Sequence, residues 1–498
     1  MRILSITAQK PDSTGSGIYL SHLQNAFEKA GHKVALVYGC DSHDAYSFAY
    51  PTFPVVFNTS RVAFPVVGMS DTMPYTSSIY RHLTPGQLDV FEREFRDALV
   101  RARDEFKPDV VICHHLYGVL TFAFDVFSEA MDATHSASCT ASASAETLAA
   151  AASIVNENRP PRILAICHGS DLRQLCSHRL FYERVQACLP KLDAVIALHE
   201  SQKLQIESLF PEASKNVFAL GAAFDNALFH YSDEMQAALL KSAEPEHESA
   251  FSAGVTTASV KPPAPTAPAK PPAPPAYTSP SPHIVHGEQR AQRCALNLCY
   301  VGKIAYKKGV HSLLRALALD DSTHIAQLSL IGGSGSADEW REAHNLASHL
   351  PFPVHMPGAL PHDELASHYQ ASNIFVLASY YEGLPLCVIE ALACGCAVVC
   401  SNTTGFQAWM TRHVPHALCY FVDLPPECQP GVPVRSELPS YEQRFKRALD
   451  TMIHTLLHET HTERIQRLQG IQRELAALTW DSLATRILDA GKGSARGV

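Results

Sequence analysis

No run of this chain approaches the roughly 18 consecutive apolar residues that a membrane-spanning helix needs. The opening, MRILSITAQKPDS, breaks at Gln9, Lys10 and Pro11, too early for a signal-peptide core. It reads as a first β-strand, the expected location is cytoplasmic, and peripheral membrane contact stays open. Excess basic charge is missing as well: 40 Lys+Arg against 49 Asp+Glu give a net charge of -9. That balance argues against a general electrostatic nucleic-acid binder. There are 14 cysteines but no C-x-x-C pair at metal spacing. Cys113, Cys167, Cys387, Cys394, Cys396 and Cys400 sit inside apolar runs and read as buried reduced thiols, and no metal is expected.

What is present is enough chain, 498 residues with 46% apolar and 18% charged, for two or more well-filled domains. MRILSITAQ is a strand, KPDSTGSG a loop, IYLSHLQNAFEKAG a helix ending at Gly31, and HKVALVYG a second strand. That is the opening unit of a parallel α/β sheet. PDVVICHH (108–115), RILAICHGSD (162–171), DAVIALHE (193–200) and NVFALGAAFD (216–225) repeat one form, a short apolar run with a polar or Gly-containing tail. In a parallel sheet those tails gather at the carboxyl edge, where ligands bind. Residues 131–162, rich in Ala, Ser and Thr, read as an insertion. From about Lys241 to Arg293 the chain changes character, with ten prolines within residues 262–282, and reads as an extended linker or, alternatively, a proline-rich peptide ligand. The α/β pattern then restarts with LNLCYVGK, GVHSLLRALAL, QLSLIGGSG, HDELASHYQAS, NIFVLAS and AVVCS. The fold class expected is α/β, two doubly wound Rossmann-like domains facing across a cleft, and that cleft is the default site.

Four stretches carry possible chemistry. EGLPLCVIEALACG (382–395) places Glu382 and Glu390 in apolar surroundings. On one helix they would stand about 12 Å apart along the axis and roughly 80° apart around it. The Gly and Pro of YYEGLP instead start the helix near Pro385, leaving Glu382 on the strand-to-helix loop and Glu390 in the second turn. A buried Glu390 without a partner would cost several kcal/mol, so a ligand's hydroxyl donors, a cation, or a neighbouring Lys or backbone group is expected to face it. YVGKIAYKKG (300–309) sets Lys303, Lys307 and Lys308 between a strand end and a helix start, which suits phosphate or a solvated basic turn. STGSG (13–17) brings Gly15 and Gly17 after the first strand, with Asp41 further on. Its spacing departs from the dinucleotide fingerprint, but its backbone could lie close to a phosphate. HGSD (168–171) puts His168 at the ligand edge, where a substrate contact and a structural role are both open.

Together these residues resemble the retaining GT-B glycosyltransferases of family 4, the glycosyl transferases group 1. EGLPLCVIEALACG matches the family's E-x7-E signature, YVGKIAYKKG its G-[RK]-x4-K-G motif, TGSG its amino-terminal loop and HGSD its strand end; GAAFDNALF and TWDSLATRIL match the close of its first domain and its returning carboxyl-terminal helix. The resemblance implies a first, acceptor-side domain over 1–235, a linker over 236–293, a nucleotide-sugar-binding domain over 294–478, and 479–498 returning to the first domain. It implies a hexosyltransferase-type enzyme moving a sugar from a nucleotide-diphosphate sugar, a substrate and not a cofactor, to an unknown acceptor such as a sugar, a lipid-linked sugar or a small molecule. In that scheme Glu390 accepts from ribose hydroxyls, and Glu382, with Gly383 and Leu384, meets the donor sugar. Lys303, where the family usually has Arg, and Lys308 neutralise the diphosphate, Gly15 and Gly17 let backbone N–H groups approach it, and His168 sits by the transferred sugar. Glu382, His168, Lys303 and Lys308 are thereby the expected catalytic set. The alternatives are a nucleotide-sugar epimerase on the same fold, a noncatalytic nucleotide-binding relative, and a glycosidase using the two glutamates.

Overall fold

The structure is a computed structural model, and it describes residues 1–70, 73–135, 160–221, 223–232, 234, 295–319, 324–334, 336–429 and 431–492. The expected linker, 236–293, lies outside the described residues, as does most of the expected insertion. The ends of that insertion belong to regular elements: the helix Gly118–His135 runs past residue 131, and Arg162 is the first residue of a strand, paired with Val110.

The first sheet is built from β1 (Arg2–Ile6), β2 (Lys33–Asp41) and β3 (Thr52–Phe57). A two-strand ribbon, β4 (Val67–Gly68) and β5 (Ser78–Ile79), stands apart. The sheet resumes with β6 (Val110–His114), β7 (Arg162–Ile166), β8 (Ala194–Ala197) and β9 (Val217–Ala219). Its order is β3-β2-β1-β6-β7-β8-β9, with every pairing parallel. Helices on both faces bury these strands twice over: Ile3 joins one apolar cluster while Leu4 and Ile6 join the other.

The second sheet holds β10 (Leu296–Val301), β11 (Ile325–Ile331), β12 (Val354–Gly358), β13 (Ile374–Leu377), β14 (Ala397–Ser401) and β15 (Cys419–Val422). Its order, β12-β11-β10-β13-β14-β15, is also all parallel. Each sheet reverses its winding once, between β1 and β6 in the first and between β10 and β13 in the second. Ligands in such sheets bind outside the carboxyl ends at that reversal.

The two halves are joined through 223–231 and the carboxyl-terminal helices. Phe224 bridges to Thr479, Tyr231 donates its hydroxyl to the Leu468 carbonyl (2.8 Å), and the helix Trp480–Ala490 packs on the helix Gly15–Lys29. The amphipathic stretch 445–457 is the middle of the helix Leu438–His458, with Phe445, Leu449, Met452 and Ile453 buried, so packing accounts for its apolar side. Among the described residues no helix is long and apolar enough to cross a membrane. Cys113, Cys167, Cys394, Cys396 and Cys400 are buried and free, and Cys387 is half-buried.

Candidate active site at the carboxyl edges of the two sheets

At the reversal of the second sheet, the loop after β10 carries Lys303 and Lys308 and the loop after β13 carries Glu382. The two loops are stitched by backbone: the Tyr380 N–H donates to the Lys307 carbonyl at 3.2 Å. Gly309 has φ 64°, and a Cβ there would stand 1.8 Å from the Ala378 carbonyl oxygen. Only glycine permits that approach, and the approach sets Lys308 beside Glu382. The Lys308 ammonium donates to both carboxylate oxygens of Glu382, at 2.7 and 2.9 Å. Lys303 is half-buried on the same loop, and burial lowers its pKa, with Lys308 and Lys307 adding to that effect and Glu339 opposing it. Its ammonium meets no carboxylate at ion-pair distance among the described residues. A half-buried cation in that setting gains from an anion.

The helix Leu386–Ala393 follows, with Pro385 as its cap residue, and Glu390 stands in its second turn. Glu390 is only 9% exposed, and burial pushes its pKa up to about 7, against the smaller opposing effect of a hydrogen bond from the Tyr369 hydroxyl (3.2 Å). One neutral donor does not replace the hydration of a carboxylate, so further hydroxyl donors would stabilise its charged form. Leu384, between the two glutamates, is buried.

The edge of the first sheet is chemically different. His168 follows β7, and its Nε2 lies 3.2 Å from His114 Nδ1, the rings nearly parallel at 12°. Tyr19 meets His168 edge-on at 5.1 Å, and His115 is 4.9 Å away. Burial drives all three histidines toward the neutral form, His114 down to about 3 and His168 well below the usual range. Buried Asp171 explains the last letter of HGSD: its carboxylate accepts from the backbone N–H of Leu116 (2.8 Å) and of His168 (3.3 Å), tying the loops after β6 and β7 together. His115 has φ 87°, a conformation that costs energy for a residue with a side chain. In the first turn of the helix Gly15–Lys29, Gly17 is required by packing, since a Cβ would meet the Pro11 carbonyl oxygen at 2.6 Å. Its N–H is already bonded to the Thr14 hydroxyl at 3.1 Å. Gly15 opens the helix Gly15–Lys29 and faces space, with nothing within 4 Å of an added Cβ.

The structure therefore gathers Lys303, Lys308, Glu382 and Glu390 around the second reversal, and His168 with Gly15 and Gly17 at the carboxyl edge of the first sheet. Tyr369, His114 and His115 were not singled out from sequence, and Asp171 was read only as the last letter of HGSD. The HH at the end of PDVVICHH was the visible signal for the histidine pair; Tyr369 gave none, because it reads as one apolar position of a helix. Asp41, noted as a cofactor-type acid, is paired with buried Lys10 at 2.8 Å. Asp41, His43 and Asp44 also lie close enough together to hold a cation, but the Lys10 ammonium, 2.7 Å from Asp44, already supplies the positive charge there.

Residues 295–420 match the family described as glycosyl transferases group 1. The glycogen synthase of Mycobacterium tuberculosis (strain CDC 1551 / Oshkosh) is 33% identical over 108 residues, covering 22% of this chain and 26% of that protein. The chain thus matches about a quarter of that relative's length. Sucrose-phosphate synthase from Thermosynechococcus elongatus superposes with a TM-score of 0.54 at 16% identity, covering 100% of both chains. Anabaena Alr3699/HepE, solved with UDP-glucose, gives a TM-score of 0.54 at 13% identity over 99% of this chain and 100% of its own. These distant likenesses establish the architecture, and the match over 295–420 takes in β10 to β14, Lys303, Lys308, Glu382 and Glu390. Residues 295–420 are accordingly similar to the glycosyl transferases group 1, in a chain with the two-sheet GT-B fold.

Proposed function

We propose that the protein is a retaining, family 4 glycosyltransferase that moves a sugar from a nucleotide-diphosphate sugar to a hydroxyl acceptor. The observation that carries the reading is the grouping at one sheet reversal of a half-buried Lys303, a Lys308–Glu382 pair and a buried Glu390. The likeness to a protein solved with UDP-glucose supports a nucleotide-sugar donor.

Cleavage of the sugar–phosphate bond leaves the bonding electron pair on the diphosphate and positive charge at the anomeric carbon. Lys303 and Lys308 stabilise the first more in the transition state than in the ground state, because the leaving group gains charge as the bond breaks. Glu382, oriented by Lys308, accepts from hydroxyls of the donor sugar, and Glu390 accepts from the ribose. His168, half-buried and held neutral, offers a hydrogen bond without adding positive charge next to the anomeric carbon. The acceptor oxygen attacks from the face the diphosphate leaves, and its proton passes to the departing phosphate oxygen, so the configuration is kept. The acceptor binds against the first sheet, over 1–235.

The test is to incubate the protein with sugar nucleotides of uracil, guanine and adenine and follow the products by NMR. Release of a nucleoside diphosphate with retained configuration at the sugar is expected, lost in a Lys308→Ala, Glu390→Ala double variant that still folds. A fully active double variant would overturn the site. Conversion of the sugar with no diphosphate released would point to an epimerase instead.

A further inference from the structure

Glu382 is flanked by Tyr381 and Gly383, and both flanks touch the other half of the molecule. The Tyr381 hydroxyl donates to the Gly169 carbonyl at 3.2 Å, inside the HGSD turn. The Arg173 guanidinium lies 6.0 Å from the centre of the Tyr381 ring. Gly383 lies against the first domain, where a Cβ would be in ordinary contact with the Leu198 side chain (3.4 Å) and the His168 carbonyl oxygen (3.5 Å). His199, buried as the cap of the helix Glu200–Leu209, accepts from the Gln202 N–H at Nδ1 (3.1 Å). Its ring also faces the Gly383 backbone, which partly offsets the lowering of its pKa by burial. Gly405 completes the contact, because a Cβ there would come 2.6 Å from the Ser201 hydroxyl and 2.7 Å from His199 Nδ1.

We propose that Tyr381 and His199 are positioning residues that form a latch between the two domains, holding the backbone on both sides of Glu382 so that the carboxylate is in place only when the cleft is closed. Lys308 acts from within the second domain and fixes the side chain; the latch acts from the first domain and fixes the main chain. The same closure brings the His168 carbonyl against Gly383, so the residues expected on opposite sides of the transferred sugar reach their places in one movement. Each latch contact is uncharged and individually weak. Two of them shift the open–closed balance without locking it, as a cleft that must admit substrate and release product requires. The role given to Glu382 rests on the proposed function; the contacts do not.

The test uses two variants of the full chain. Tyr381→Phe removes only the hydroxyl, and His199→Asn keeps a helix-capping acceptor on a side chain too short to reach Gly383. UDP, GDP and ADP are titrated in turn, turnover of the matching sugar nucleotide is followed, and the radius of gyration of each unliganded protein is measured by small-angle X-ray scattering. Expected are nucleoside diphosphate affinities within about two-fold of the wild type, turnover lowered about ten-fold by each variant at unchanged KM, and a larger radius than that of the wild type. Wild-type radius and turnover in both variants would overturn the latch, as would affinity falling in step with turnover. If the wild type binds none of the three nucleotides, the donor reading fails, while the radii still decide the latch.

Discussion

The two sheet edges that face each other are built from the same topology but solve opposite electrostatic problems. The second edge concentrates charge, with Lys303, Lys308 and Glu382 at the reversal and a buried Glu390 whose pKa is raised to about 7. At the first edge the histidines that end β6 and follow β7 are kept neutral: His114, His115 and His168 are all held below the usual histidine range by burial. A diphosphate needs fixed cations, and an anomeric carbon gaining positive charge is best left without a cation beside it. Under the proposed function, the contrast teaches that charge at this cleft follows the bond that breaks and not the fold, since both sheets could host either kind of group.

The largest expected effect breaks the comparison at its charged side. Lys303→Ala with Lys308→Ala removes two charge-assisted contacts of about 1.5–3 kcal/mol each, so nucleoside diphosphate affinity falls about 100-fold or more. His168→Ala, on the neutral side, leaves that affinity within about two-fold while transfer is lost. Calorimetric titration reads the first and a turnover assay the second.

The next effect is a pair of opposed pH slopes. Glu390 keeps its proton in the folded state up to about 7, whereas the unfolded chain releases it near 4.5. Stability therefore falls as pH rises from 4.5 to 7 and is level above, a difference of about 3 kcal/mol. The histidines act in reverse: neutral in the fold and protonated below about 6.5 when unfolded, they cost stability as pH falls. Glu390→Gln is expected to be more stable than the wild type at pH 8 and equal to it at pH 4.5 in urea unfolding. Ligand binding by Glu390 follows the same group. Ribose hydroxyls favour the charged carboxylate, so affinity should rise with pH up to about 7 and flatten in the variant.

A third set of variants separates glycines that packing demands from one that it does not. Gly309→Ala and Gly17→Ala, with backbone oxygens at 1.8 and 2.6 Å from the new Cβ, should each cost about 2–4 kcal/mol in thermal or urea unfolding. Gly15→Ala should lie within about 0.5 kcal/mol of the wild type, since open space surrounds it. If the diphosphate does approach Gly15, its affinity alone will drop in that variant.

Much of this was legible in the sequence because parallel strands buried on both faces read as apolar runs with polar tails. AVVCS is β14 residue for residue, and YYEGLP announced the helix that begins at Leu386 after Pro385. The start of that helix was readable because Gly and Pro restrict the backbone locally. The edge strand Thr52–Phe57 was not, since TFPVVF carries a proline inside it and lies on an edge where no second neighbour demands an N–H. The pairing of Lys308 with Glu382, 74 positions apart, depends on the close approach of Gly309 to Ala378, and no local pattern encodes it. Tyr369 as donor to Glu390 and Asp171 as the tie between two loops are long-range in the same way. The reason for Gly17 also changed: its lack of a Cβ makes room for the Pro11 carbonyl.

The measurement that tests the account most directly is calorimetric titration of UDP, GDP and ADP into the wild type, Lys308→Ala and His168→Ala. The account predicts that one nucleoside diphosphate binds the wild type and His168→Ala alike and fails to bind Lys308→Ala. Binding of none of the three, or binding that survives Lys308→Ala and is lost in His168→Ala, would contradict it.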